Sequence, residues 1–159
     1  MEQKKISVWL KAVVVGFGIC GILFYAVILP KMAGGLVERL PELQRLYLPW
    51  LILALLTAPA CFGALVLAYI IFDHIGRDQS FVKENARALT LIAYLAFADT
   101  GLLFAGNVIY LILGLSLLPL MELSALLCFI GAAIGAAAYA LARLTEKAIE
   151  LRTENEAYI

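Results

Sequence analysis

The chain has 159 residues, 64% hydrophobic and 15% charged, with no net charge at neutral pH. Soluble domains are about 45–50% apolar and about 25% charged, and a chain this short builds no core large enough to bury the excess, so lipid must cover it. The mean hydropathy of +0.97 agrees, and the zero net charge gives no bulk attraction to nucleic acid, so no direct nucleic-acid binding is expected.

A membrane helix needs about 20 mostly apolar residues. The first stretch to qualify is 8–29, preceded by Lys4 and Lys5. It is too long for a signal-peptide core, and no A-x-A site follows its exit at LPKMAGG, so it reads as a retained helix ending near Pro30. It contains VVVGFGICG, which has the G-x-G-x-x-G spacing of a dinucleotide-binding turn at Gly16, Gly18 and Gly21. That turn requires a preceding strand, a soluble helix and a βαβ unit, none of which the chain supplies. On a helix, Gly18 and Gly21 share a face with Val14 and Tyr25, while Gly16 lies opposite with Cys20, so the glycines thin two sides for close packing.

The loop KMAGGLVERLPELQRLYL follows. Pro41 suits a helix's first turn, and Leu40, Leu43, Leu46 and Tyr47 give an apolar side, so a short helix at the interface is expected. Tyr47 and Trp50 fit an outer aromatic belt, and Trp9 an inner one. The second span is 50–72. Pro59 removes a backbone donor and leaves the Leu55 carbonyl for Thr57 or water to satisfy.

The next loop, DHIGRDQSFVKENARA, holds the only histidine, His74, read as a solvated loop residue. Asp78 or Ser80 is expected to cap a helix running into the third span, 89–115. That span carries Asp99, an acid that costs about 2.5–3.5 kcal/mol near the bilayer centre. Asp99 shares a face with Gly106, Asn107 and Tyr110. Asp99, Asn107 and Tyr110 form the candidate intramembrane polar site, for an ion, a proton or a ligand; a register-fixing hydrogen bond between helices is the plainer alternative.

The last span is 123–142, after a short turn around SLLPLME. Ser124, Cys128, Gly131, Gly135, Ala138 and Ala142 fall on one side of it as a seam of small residues, suited to close packing within the chain or between two chains, the first being favoured. The tail, 143–159, is expected to extend this helix. Its pairs Arg143/Glu146, Lys147/Glu150 and Arg152/Glu156 have helical spacing, and Leu144, Ala148 and Leu151 form a stripe that could meet the inner loop or a partner helix. The three cysteines, Cys20, Cys61 and Cys128, lie in apolar runs as small buried hydrophobes.

Lysine and arginine set the orientation. Lys4, Lys5, Lys11, Arg77, Lys83, Arg87, Arg143, Lys147 and Arg152 fall on one side, against Lys31, Arg39 and Arg45 on the other. The expected fold is therefore all-α, one domain over 1–159: a polytopic membrane protein, a four-transmembrane-helix bundle with N and C termini cytoplasmic. No HExxH, GxSxG, paired intramembrane acids or nucleophile–base pair appears, so no enzyme is expected and no catalytic, cofactor-binding or metal-ligating residue is assigned.

The segments FVKENARALTLIA and AIELRTENEAYI resemble a family of small four-helix bacterial membrane proteins, widespread in Firmicutes and known only as a domain of unknown function, DUF2975. The resemblance rests on Phe81, Asn85 and Leu89 at the start of the third helix and on Glu154-Asn155-Glu156 near the end. It covers nearly the whole chain, though the last four residues, Glu156 to Ile159, depart from the family's D-x-T-I ending. It implies a bacterial cell (inner) membrane location and, for many relatives, a neighbouring gene for a small helix-turn-helix regulator. The expected function is that of a non-enzymatic membrane protein acting through protein contacts at the cytoplasmic loop and tail, as membrane partner of a transcriptional regulator. The competing expectation is a small oligomeric transporter or ligand-binding protein that uses Asp99, with homo-oligomer contacts.

Overall fold

Helix α1 (Glu2–Leu23) leads through a single π-helical turn, Phe24–Ile28, into α2 (Leu29–Arg39) in the computed structural model, which describes residues 2–157. These three pieces form one rod, so the first helix does not stop at Pro30. The π turn is the reason. Its wider pairing sends the Leu29 N–H to the Phe24 carbonyl and places Pro30 in the first turn of the next segment, where a missing N–H costs nothing. The rod ends at Leu40, which is extended (φ −133°, ψ 81°) because the residue before a proline is pushed out of the helical region.

No separate interfacial helix follows. Pro41–Leu43 forms one 3-10 turn and α3 (Gln44–Gly76) starts directly after it, with Leu46 buried in its first turns. Helix α3 absorbs both Pro49 and Pro59. The hydroxyl of Thr57 bonds the Ala54 carbonyl at 2.7 Å, so the expected repair of the Leu55 carbonyl by Thr57 does not occur.

Helix α3 closes on a Schellman motif. Gln79 N–H bonds the His74 carbonyl (2.9 Å) and Asp78 N–H bonds the Ile75 carbonyl (3.2 Å), with Asp78 at φ +60° in the position that usually holds glycine. Asp78 therefore ends one helix instead of capping the next. Helix α4 (Lys83–Ile112) begins after an extended Val82 that makes no side-chain cap. It ends at a turn in which Gly114 takes φ +65°. Helix α5 (Leu118–Ala157) continues without a break into the tail, as expected. Arg143 pairs with Glu146 at 3.0 Å and bonds the Tyr139 hydroxyl; the side chain of Glu156, and the ending at Tyr158 and Ile159, lie outside the described residues.

The rod α1–α2, α3, α4 and α5 are each long and apolar enough to cross a membrane. Packing runs mainly between chain neighbours: α1 and α2 on α3, α3 on α4, α4 on α5. Ser7 bonds the Phe72 carbonyl, and Lys83 and Ala86 stand beside Glu146 and Ile149, so α1's start, the 77–82 turn and the tail share one end of the array.

The burial pattern is inverted relative to a soluble domain. The buried positions are mostly small or polar, among them Ser7, Thr57, Asn85, Ala93, Ser124, Ala142 and Thr145. The surface carries Phe17, Ile22, Leu56, Phe104, Ile112 and Phe129. Helices pack this way when lipid covers their large apolar side chains, because close backbone approach then supplies the attraction.

Candidate functional site

Three close approaches set the register of α3 against α4. Tyr110 donates to the Pro49 carbonyl (2.8 Å), Leu53 fills the space over Gly106, and Leu95 lies over Gly63. Counting along both helices puts Asp99 level with Ala60, between Thr57 and Cys61. On the α1 side, Phe62 lies against Gly21 and Tyr25 meets Thr57. On the α5 side, Ser124 reaches Asn107, Thr100 meets Gly131, and Phe97 lies against Gly135. One level of the array therefore gathers Tyr25, Thr57, Cys61, Asp99, Thr100 and Cys128, drawn from all four rods. Asp99 is within electrostatic range of Tyr25, Cys61 and Cys128.

The hydrogen bonds at this level have a definite direction. The Thr57 hydroxyl has one proton, given to the Ala54 carbonyl at 2.7 Å. Its oxygen, 2.8 Å from the Tyr25 hydroxyl, is then the acceptor and Tyr25 the donor. Tyr25 oxygen also lies 3.8 Å from Cys61 Sγ, which can donate to it. Cys128 Sγ leans on the Thr100 carbonyl at 3.7 Å. Two atoms of the level are shut from solvent without any hydrogen-bond partner: Asp99 Oδ1 and Thr100 Oγ1. A groove of about 410 Å³, lined almost wholly by apolar groups and including Gly21, Tyr25, Cys61, Phe62 and Ile92, runs along α1 and α3 beside Tyr25 and Cys61.

Asp99, Asn107 and Tyr110 do share α4, but no hydrogen bond joins them. Asn107 is about 12 Å from Asp99 along the axis. It gives its amide N–H to the Leu103 carbonyl (2.7 Å) and faces the Ser124 hydroxyl with its oxygen (2.7 Å). Tyr110 is spent on Pro49 and packs edge-on against Trp50, whose indole N–H bonds the Leu115 carbonyl at 2.9 Å. Asn107, Tyr110 and Trp50 thus fasten helices together near the 113–117 turn. Tyr25, Thr57, Cys61 and Thr100, which the periodicity of single helices did not single out, share the level of Asp99 instead.

The small-residue seam packs inside the chain. Ser124, Gly135, Ala138 and Ala142 are buried and Cys128 and Gly131 half-buried, all turned to α4. In α1 the glycines behave differently from expectation. Only Gly21 meets a neighbour, with Phe62 3.3 Å from where a Cβ would stand, while Gly16 and Gly18 have nothing within 4 Å. Cys20 and Cys61 are exposed on the helix surfaces, so of the cysteines only Cys128 is even half-buried.

A second polar cluster lies at the end shared by both termini. Asp73 bridges Lys11 (2.8 Å) and Arg77 (2.7 Å), tying α1 to α3. His74 is not a loop residue: it lies inside α3 with Nδ1 2.7 Å from Asn85 Oδ1. Asn85, 2% exposed, gives its two amide protons to the carbonyls of Gln79 (3.1 Å) and Ser80 (3.0 Å). Its oxygen can then only accept, so His74 Nδ1 carries the proton. This side chain holds the 77–82 turn closed. Beyond it, α5 turns Ala142, Thr145 and Ile149 inward and leaves Leu144 and Leu151 exposed.

No curated protein and no solved structure is significantly similar to the chain. Residues 31–159 match one family, described as protein of unknown function (DUF2975), so Asp99, Asn85, the seam and the tail fall inside the match and α1 before it. The chain belongs to the DUF2975 family.

Proposed function

We propose that the protein is a multi-pass, non-enzymatic protein of the bacterial cell membrane, with both termini in the cytoplasm, acting through protein contacts made by its tail and the 77–82 turn. Orientation follows from the lysines and arginines gathered at the end where these segments meet. The observation that carries the reading is the tail itself. From Arg143 to Ala157 α5 runs about 22 Å beyond the last apolar span, and Leu144 and Leu151 stay uncovered while the neighbouring face is used by α4. Uncovered leucines along one side of a helix outside the lipid offer a partner an apolar face. The family resemblance points to a helix-turn-helix regulator as the partner. Deleting 144–159 abolishes co-purification of that regulator; equal recovery with the shortened chain removes the tail from the interaction.

A second reading, a small oligomeric transporter or ligand-binding protein, is favoured by one observation: the oxygen of Asp99 that has no partner. It requires that Asp99→Asn stop a flux or ligand response in a protein that still folds, and unchanged flux in that variant rejects it.

A further inference from the structure

We infer that Asp99 is a proton-binding group in the membrane interior, taking up and releasing one proton beside the Tyr25–Thr57 hydroxyl pair. The inference deepens the second reading and rests on it only in treating Asp99 as a site; proton binding and flux are measured separately.

Asp99 Oδ1 is closed to solvent and has no hydrogen-bond partner. Among the described residues no lysine, arginine or histidine pairs with Asp99: Lys11 and Arg77 are held at the end of the array by Asp73. An isolated carboxylate in an apolar surrounding is expensive, and taking up a proton removes that charge. The titratable groups facing Asp99 are Tyr25 of α1, Cys61 of α3 and Cys128 of α5.

The level also holds what the ionised form needs. Tyr25 donates its proton to the Thr57 oxygen, while Thr57 donates its own to the Ala54 carbonyl. Tyr25 lies within electrostatic range of Asp99, so the hydroxyl pair bears on the energy of the charged carboxylate. Tyr25 sits in the π turn, the irregular part of its rod, and π turns recur at functional positions. An apolar groove lies beside Tyr25 and Cys61. On release the carboxyl O–H bond breaks, its electron pair stays on the carboxylate, and water takes the proton; uptake is the reverse.

The test is infrared difference spectroscopy of the full chain in phosphatidylcholine vesicles, titrated from acid to alkaline pH, with the aspartate carboxyl carbons isotopically labelled. The chain has three aspartates, Asp73, Asp78 and Asp99. The expected result is one label-sensitive protonated-carboxyl band that comes and goes with a one-proton profile. It persists in Asp73→Asn/Asp78→Asn, which leaves Asp99 as the only aspartate, and is lost in Asp99→Asn. Tyr25→Phe displaces its midpoint. A band that does not change with pH, or one lost in the double variant, overturns the assignment even if Asp99→Asn fails to fold. An unmoved midpoint in Tyr25→Phe overturns the role of the hydroxyl pair. A titrating band in vesicles without proton flux leaves the site standing and rejects transport.

Discussion

Gly106→Ala tests how the middle helices are held together. A Cβ at Gly106 would stand 2.6 and 2.7 Å from the two methyl carbons of Leu53 and 3.2 Å from its Cγ, where ordinary contact is 3.4–4 Å. Leu53 is 4% exposed, and close-packed interiors leave little room for a side chain to turn. Either Leu53 leaves its rotamer or α3 and α4 part by a few tenths of an ångström. Overpacking of this kind costs about 1–3 kcal/mol. Alanine gains back about 0.5–1 kcal/mol over glycine in a helix, leaving a net loss of about 0–2.5 kcal/mol. Gly16→Ala is the comparator. Its Cβ meets nothing within 4 Å, so only the gain remains. The assay is reversible unfolding in bicelles by detergent titration, followed by circular dichroism. Leu53→Ala alone costs about 2–5 kcal/mol through the cavity it leaves. In the double variant the new methyl enters that cavity, so the losses sum to less than the two singles. A Gly106→Ala protein as stable as Gly16→Ala, or strictly additive losses with Leu53→Ala, would refute the packing argument.

Two further substitutions address the end that carries the termini. Asp78→Gly relieves a left-handed residue in the Schellman motif and raises unfolding free energy by about 0.5–1 kcal/mol in the same assay. Asn85→Ala strips three hydrogen bonds from a buried position and leaves the Gln79 and Ser80 carbonyls without their donor, a loss of about 2–3 kcal/mol. That loss is accompanied by faster proteolysis within 77–82, measured by limited digestion.

The four spans were legible because each is a long apolar run, and lipid leaves no other use for so many leucines. The α5 seam was legible too, since Gly131, Gly135, Ala138 and Ala142 repeat at helical spacing and face one neighbour. What periodicity hides is anything that depends on two helices at once. Asp99, Asn107 and Tyr110 share a face of α4, yet Asn107 meets Ser124, Tyr110 meets Pro49 and Asp99 Oδ1 meets no partner, because the neighbouring helices differ at every turn. The layer around Asp99 requires the offsets of α1 on α3 and α3 on α4, which are fixed by Gly21, Gly63 and Gly106. Helix ends were the weakest reading. Asp78 carries the chemistry of an N-cap and serves as a C-terminal turn, and Pro30 looks like a stop until a π turn moves the register past it.

The polar groups within the array fall into two kinds. Ser7 with Phe72, Tyr110 with Pro49, and Ser124 with Asn107 each join two helices through one bond. Such bonds contribute about 0.6 kcal/mol apiece in membrane proteins, enough together to fix register and too little singly to matter. Asp99 differs on both counts. It is costlier to place than any of them, by about 2.5–3.5 kcal/mol at mid-membrane, and its enclosed oxygen joins nothing. Register is already set by glycine contacts and by the other polar pairs, so an alanine at this position would serve the packing as well and insert more easily. Helix packing therefore accounts for the serines, Asn107 and Tyr110 without accounting for Asp99, and the explanation for that residue has to come from chemistry at the level it shares with Tyr25, Thr57 and Cys61.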